Sequence, residues 1–285
     1  MDIDDLRTFL LIAEGRSLSA VADQIHLSQP AVTRRIKRLE EQLDSPLFDR
    51  VGKRMLPTAA GRALIPGARQ VLQQWTDTQR ELSNLKANVS GPLTIGTSHH
   101  IGLHRLAPVL RHFRARFPTV ALNIQFEDSE VTHQMVSDGQ IELAIATLNP
   151  AGSDHLTTQA VWNDPLVFVD RSARSASLEE LSQLPCVLPG EATYTGRIVT
   201  EEFKMRGLTL KPTMSTNYLE TIEMMVGVGL GWSVLPRTLT KSLHIINLNE
   251  GLELQRSLGL ITHPERVRTN AAQAFIDTLM DYADV

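Results

Sequence analysis

This 285-residue chain contains a single cysteine, Cys186, which excludes an intramolecular disulfide framework and suits a reducing compartment. Its flanks, Leu184-Pro185 and Val187-Leu188, read as the setting of a buried structural thiol. A reactive thiolate would need an electropositive, partly exposed site. No apolar run approaches the roughly 18 residues needed to span a bilayer. The N-terminus is acidic and lacks the basic segment and apolar core of an export signal, so a cytoplasmic location is expected. Positive charge in bulk is also missing. The net charge of −4 excludes a chain that coats nucleic acid by charge alone. No nucleophile–base–orienter set and no paired carboxylates stand at recognisable spacing. Catalysis is therefore not expected, no catalytic residue is assigned, and no cofactor is called for. The length allows two or three compact units with cores of their own.

What is present is most concentrated at residues 28–43, which read as a helix with two faces. Val32, Ile36, Leu39 and Leu43 recur at helical spacing and form one apolar stripe. Gln29, Thr33 and Lys37, with Pro30 and Arg34 beside them, fall on another face, and Pro30 sits in a first turn where a missing N–H costs little. Such a helix can lie in a DNA major groove, although an ordinary solvated amphipathic helix has the same pattern. Its neighbours favour DNA. Leu6, Phe9, Leu10 and Ala13 form a first helical stripe. Ser17 can cap a second short helix built on Leu18, Val21, Ala22 and Ile25, and residues 26–28 make a tight turn into the third. Residues 46–50 and 53–57 then flank Gly52 as two short strands, a wing that would carry Arg50, Lys53 and Arg54 to phosphates. Residues 1–62 hold ten Arg and Lys against nine Asp and Glu, so DNA binding depends on where charge sits.

These residues resemble a known family. The blocks Leu6-Arg7-Thr8-Phe9, residues 27–33 (Leu-Ser-Gln-Pro-Ala-Val-Thr), Ile36-Lys37-Arg38-Leu39-Glu40, Leu47-Phe48-Asp49-Arg50 and residues 56–61 (Leu-Pro-Thr-Ala-Ala-Gly) look like the winged helix-turn-helix of LysR-type transcriptional regulators. Leu18 and Val21 depart from it where the family more often has an aromatic residue and alanine. The expected base and phosphate contacts are Ser28, Gln29, Pro30, Thr33, Arg34, Lys37, Arg50, Lys53 and Arg54. From Thr58 to about Ala87, Leu64, Ala68, Val71, Trp75, Thr78, Leu82 and Leu85 alternate spacings of four and three, a heptad seam. Thr78 is its polar member. A helix lying on its own domain is the alternative. The resemblance implies dimerisation through Leu64, Ala68, Val71, Trp75, Leu82 and Leu85, with a homotetramer and contact with RNA polymerase as further implications.

From residue 93 short apolar runs alternate with helices in βαβαβ order, which predicts a parallel sheet covered by helices. The expected fold is α+β and multidomain: a winged helix-turn-helix over 1–58, a linker helix and hinge over 59–90, and an α/β effector domain over 91–285. The resemblance divides the last into two subdomains of periplasmic-binding-protein type. Subdomain I would take about 91–162 and 266–285, subdomain II about 163–265, with crossings near 160–166 and 262–266. Ligands of such sheets bind beyond the carboxyl ends of strands. The expected effector-binding residues are Thr97, Ser98, His99, His100, Ser129, Thr147, Thr195, Arg197 and Asn217. A helix N-terminus at 97–100 points to an anionic small molecule. Arg197 offers a fork for an oxyanion, and an arginine solvated at a helix start is the equal alternative. His100 and His104 could share a helix face as metal ligands do. No cysteine-rich or Glu-bearing motif lies nearby, so no metal is expected. The rival reading is a cytoplasmic small-molecule binder or enzyme built on residues 93–285.

Overall fold

A computed structural model describes residues 2–52, 54–85 and 88–284. The chain forms two compact units, Met1–Leu85 and Lys86–Val285. The first unit holds three helices, α1 (Ile3–Ala13), α2 (Leu18–Gln24) and α3 (Gln29–Gln42). A two-stranded antiparallel wing comes next, β1 (Phe48–Val51) and β2 (Arg54–Pro57), and then the long helix α4 (Ala59–Asn84). Each helix after the first starts where a side-chain oxygen meets an orphan backbone N–H. Ser17 accepts from Ala20, Ser28 from Ala31 and Thr58 from Gly61. His26 and Gly52 adopt positive φ, turning the chain into α3 and across the wing. The core joins Leu6, Phe9 and Ile12 of α1 with Val21 and Ala22 of α2 and Val32, Ile36 and Leu39 of α3, and closes with Phe48 of the wing.

Two arginines of α3 serve this core's edge. Arg38 forms a two-pronged pair with the fully buried Asp5, its Nε donating to Oδ2 at 3.0 Å. Arg35 lies 3.5 Å from the Asp4 carboxylate. Gly61 explains the Pro-Thr-Ala-Ala-Gly block: a Cβ there would stand 2.2 Å from the Leu47 carbonyl oxygen, which already accepts from the Thr58 N–H at 3.0 Å. Gly61→Val is therefore expected to push α4 off the wing and cost at least about 1–3 kcal/mol, as overpacked backbone does. A lower first melting transition by circular dichroism, with operator binding lost, checks this; an unchanged melt would contradict it.

The second unit is built on one seven-stranded sheet. Its path runs Ser233–Pro236, Thr157–Asp170, Leu254–Thr262, Leu143–Thr147, Gly91–Thr97, Val120–Phe126, with His244–Ile245 paired off Thr157–Asp170. The strands Gly91–Thr97, Val120–Phe126 and Leu143–Thr147 are mutually parallel, as the βαβαβ reading requires. The mixed character comes from two long antiparallel strands, Thr157–Asp170 and Leu254–Thr262, which carry the chain between two lobes. One lobe's core includes Phe113, Trp162 and Phe275, the last from the closing helix Asn270–Met280. The other's centres on Phe168, Phe203 and Trp232 in a ring stack.

Three expectations need correction. The second crossing lies before Leu258 and not at 262–266, because Leu258–Thr262 already pair with Leu143–Thr147 in the first lobe. The first lobe thus takes residues from about 258 onward. The first crossing, expected near 160–166, is no break between elements, because residues 157–170 run through it as a single strand. The linker helix belongs to the same compact unit as the winged helix, and Ala68, only 1% exposed, packs in that unit's core with Leu64 against it. These two members of the expected seam are spent internally.

Candidate functional sites

The first site lies on the winged helix. Gln29, Pro30 and Thr33 of α3 share a concavity of about 530 Å³ with Arg50, Arg54 and Met55 of the wing and Ser17, Leu18 and Ser19 at the start of α2. Ser17 and Ser19 were not anticipated; their hydroxyls lie 3.0 Å apart at a helix N-terminus, where backbone donors face outward. The Ser28 oxygen is occupied as a helix cap, while Thr33 donates to the Gln29 carbonyl and keeps its lone pairs outward. Arg34 and Lys37 are exposed on the same helix and carry no ion pair among the described residues. Arg35 and Arg38, by contrast, are held by α1, which separates the α3 charges into outward-facing and structural pairs. Lys53 lies outside the described residues.

The heptad seam divides along α4. Val71, Trp75, Leu82 and Leu85 are 40%, 45%, 61% and 82% exposed, and Thr78 lies between them and donates back to the Gln74 carbonyl. They leave an apolar stripe open after the turns that Leu64 and Ala68 bury.

The second site is a cleft of about 150 Å³ between the lobes of the second unit, at the carboxyl ends of the parallel strands. Of the residues expected to bind effector, Ser98, His99, His100, Ser129, Thr147, Thr195 and Asn217 line it. Thr97 does not; it is fully buried, and its hydroxyl has no hydrogen-bond partner among the described residues. Arg197 also fails to reach the cleft. Its guanidinium stacks on Tyr194 with Cζ 4.7 Å from the ring centroid.

Residues missed by sequence reading do much of the building. Arg256, 5% exposed, sends Nε to Asp164 Oδ2 at 2.8 Å and Nη1 to Thr195 Oγ1 at 2.8 Å. Asp164, 1% exposed, sits in the opposing crossover strand and also lies 3.5 Å from Arg105. The lobes are stitched by three more contacts. Asn217 donates to Asp128 Oδ2 at 2.6 Å, the Tyr194 N–H donates to Glu130, and Glu220 meets both His100 and His104. His99 packs between Phe126 and Tyr218 at the rim.

The electrostatics differ from the anion site expected at 97–100. Four carboxylates, Glu127, Asp128, Glu130 and Glu220, line the cleft against one guanidinium already paired with Asp164. Fixed charge there is net negative, so an anion meets a cost that the helix N-terminus at Ser98 must offset. Burial holds the His100 imidazole below its ordinary pKa, and its hydrogen bond to Glu220 opposes that shift only in part. The same contact pulls the Glu220 carboxyl down to about 2. At neutral pH a mainly neutral imidazole faces a carboxylate. Cys186 is buried in the second lobe, and burial lifts its thiol to about 11, which keeps it protonated and unreactive.

The family follows from sequence. Residues 3–62 match the bacterial regulatory helix-turn-helix family of LysR type, and residues 86–284 match the LysR substrate binding domain. This chain belongs to the LysR family of transcriptional regulators. Among curated relatives, a probable RuBisCO transcriptional regulator of Synechocystis sp. is 30% identical over 96% of this chain and 84% of its own length. An uncharacterised helix-turn-helix regulator from the ibpB-leuC intergenic region of Azotobacter vinelandii is 52% identical over 38% of this chain and 75% of its own. The fold matches full-length CbnR in complex with its target DNA, with a TM-score of 0.66, 19% identity, and 99% and 100% of the two chains covered. The chain is thus a LysR-type DNA-binding regulator with an effector-binding domain. Among the described residues no helix is long and apolar enough to cross a membrane.

Proposed function

We propose that this regulator reads promoter DNA with the outward face of α3 and the wing, as a dimer that pairs further into a tetramer, and that a small polar molecule in the inter-lobe cleft sets its activity. The observation that carries the DNA surface is the meeting of Gln29, Pro30, Thr33, Arg50 and Arg54 in one exposed concavity, with Arg34 and Lys37 free of ion pairs among the described residues beside it. Phosphate contacts from Arg50, Arg54 and Lys37 would set register, while Gln29, Thr33 and Arg34 read base edges. A cleft of about 150 Å³ admits a benzene-sized body in its present closure. The ligand's donors would compete for the carboxylates that now stitch the lobes, and so bias closed against open states by differential affinity. The regulator acts in the cytoplasm, as a switch and not a catalyst, with RNA polymerase as the downstream partner.

The test is a fluorescence-anisotropy titration of the chain's own upstream DNA at fixed salt. One bidentate base contact is worth about 1–3 kcal/mol, so Arg34→Ala should weaken specific binding by about tenfold to ~100-fold and leave non-specific binding nearly unchanged. Equal loss on operator and random DNA would demote Arg34 to a phosphate contact, and no loss would remove it from the interface.

A further inference from the structure

Two histidines four residues apart on a helix are a common half-site for a divalent transition metal, because the turn brings both rings to one face. His100 and His104 hold that relation in the helix over residues 99–116, with ring centroids 4.7 Å apart. A π turn, Gly102–Leu106, runs through the second of them, and such turns recur at functional sites. The neighbouring sequence offers no third ligand. The fold supplies one from 116 residues further on, where Glu220 opens the helix Leu219–Gly227 of the other lobe.

Glu220 Oε1 stands 3.4 Å from His100 Nδ1 and 3.2 Å from His104 Nε2. A tetrahedral zinc ion with bonds of about 2.0–2.2 Å requires ligand edges of ~3.3–3.6 Å, so both separations are near those of a filled site. All three ligand atoms lie within 4.8 Å of one another, and the partly exposed His104 ring can close the remaining gap by rotation. The far side of His100 is backed as metal-bound histidines are. Its Nε2 faces Thr238 Oγ1 at 3.5 Å, an acceptor that would hold the proton there and leave the Nδ1 lone pair directed at the site, and the Asp164 carboxylate 4.0 Å away favours a proton on that side through charge alone. The carboxylates of Asp128 and Glu130 in the same cleft add a negative potential that draws cations.

We propose that His100, His104 and Glu220 form a binding site for a divalent transition-metal ion, of zinc type, that spans the two lobes of the effector domain. Two ligands belong to one lobe and the third to the other, so occupancy fastens the cleft shut. A solvent molecule or a donor atom of the effector completes the coordination. The binding itself does not depend on which organic effector enters the cleft; only its regulatory consequence rests on the reading of the domain as an effector switch.

The experiment uses the full-length protein, stripped with chelator and titrated with Zn²⁺ by calorimetry and with Co²⁺ by visible absorption. The expected result is one ion per chain, with the d–d bands of a four-coordinate cobalt site. His104→Ala and Glu220→Gln should each weaken binding by more than the roughly 10–100-fold that loss of an outer-shell partner costs. His155→Ala, which alters an exposed histidine elsewhere, should match wild type. Metal-free melting curves establish that each variant is folded, and if Glu220→Gln is not, His104→Ala decides. Absence of stoichiometric binding in wild type, or binding retained in His104→Ala, overturns the proposal. Operator titration of the same variants keeps the two readings apart: failure to bind metal with normal operator binding rejects the metal site alone.

Discussion

Arg256→Met is expected to destabilise the effector unit by about 3–5 kcal/mol, the scale at which removing one member of a buried ion pair leaves the other charge uncompensated. Asp164 is the charge left behind. It lies 1% exposed in the strand Thr157–Asp170, and its nearest other cation, Arg105, stands 3.5 Å away in poorer geometry. The guanidinium also ties Thr195, at the first turn of the helix Tyr194–Met205, to the return strand, so its loss should loosen the cleft. The signature is a double variant. Asp164→Leu combined with Arg256→Met should recover much of the loss, because a buried pair replaced together by apolar residues is often near neutral. With Trp75 of α4 replaced by Phe in every protein compared, Trp162 and Trp232, both buried in the effector unit, report its unfolding by fluorescence apart from the DNA-binding unit. A single-variant loss under about 1 kcal/mol would mean that water or Arg105 compensates Asp164.

That pair also marks where sequence reading stops. The winged helix was legible almost residue by residue, because its stripes, caps and turn residues lie within one or two turns of what they contact. The strand Thr157–Asp170 was legible only in its apolar half. Asn163-Asp164-Pro165 looks like a turn, and Asp164 becomes tolerable inside a strand only through Arg256, 92 residues away. A faint signal did exist: Arg256 shares its strand parity with Leu254 and Leu258, all three buried, and an inward charge demands a partner. Glu220 gave no such signal, since an acid in the first turn of a helix is ordinary. Its meaning appears only when the fold brings the His100 and His104 rings to it. The anionic effector expected from the helix start at 97–100 left the charge of the surrounding carboxylates out of account, although Asp128 and Glu130 already read as cleft residues after the second strand. Three of those, Glu127, Asp128 and Glu130, come directly after the second strand, and one comes from the far lobe.

The heptad helix shows a different limit, since periodicity does not say what a stripe is packed against. Leu64 and Ala68 continue the same repeat as Val71, Trp75, Leu82 and Leu85, yet the first two close the winged-helix core. The exposed remainder needs another surface, and a second copy of α4 is the one its repeat fits. Trp75→Lys combined with Leu82→Lys should therefore yield a folded monomer by sedimentation velocity, with the winged-helix core intact because neither side chain contributes to it. Operator affinity should fall far more than for any single base contact. Paired readers gain about 10²–10⁴ in avidity from being joined, and a monomer forfeits it. Its binding to a single half-site should match wild type. A double-lysine protein that stays dimeric would show that the stripe serves its own chain; a monomer with full operator affinity would show that one winged helix suffices.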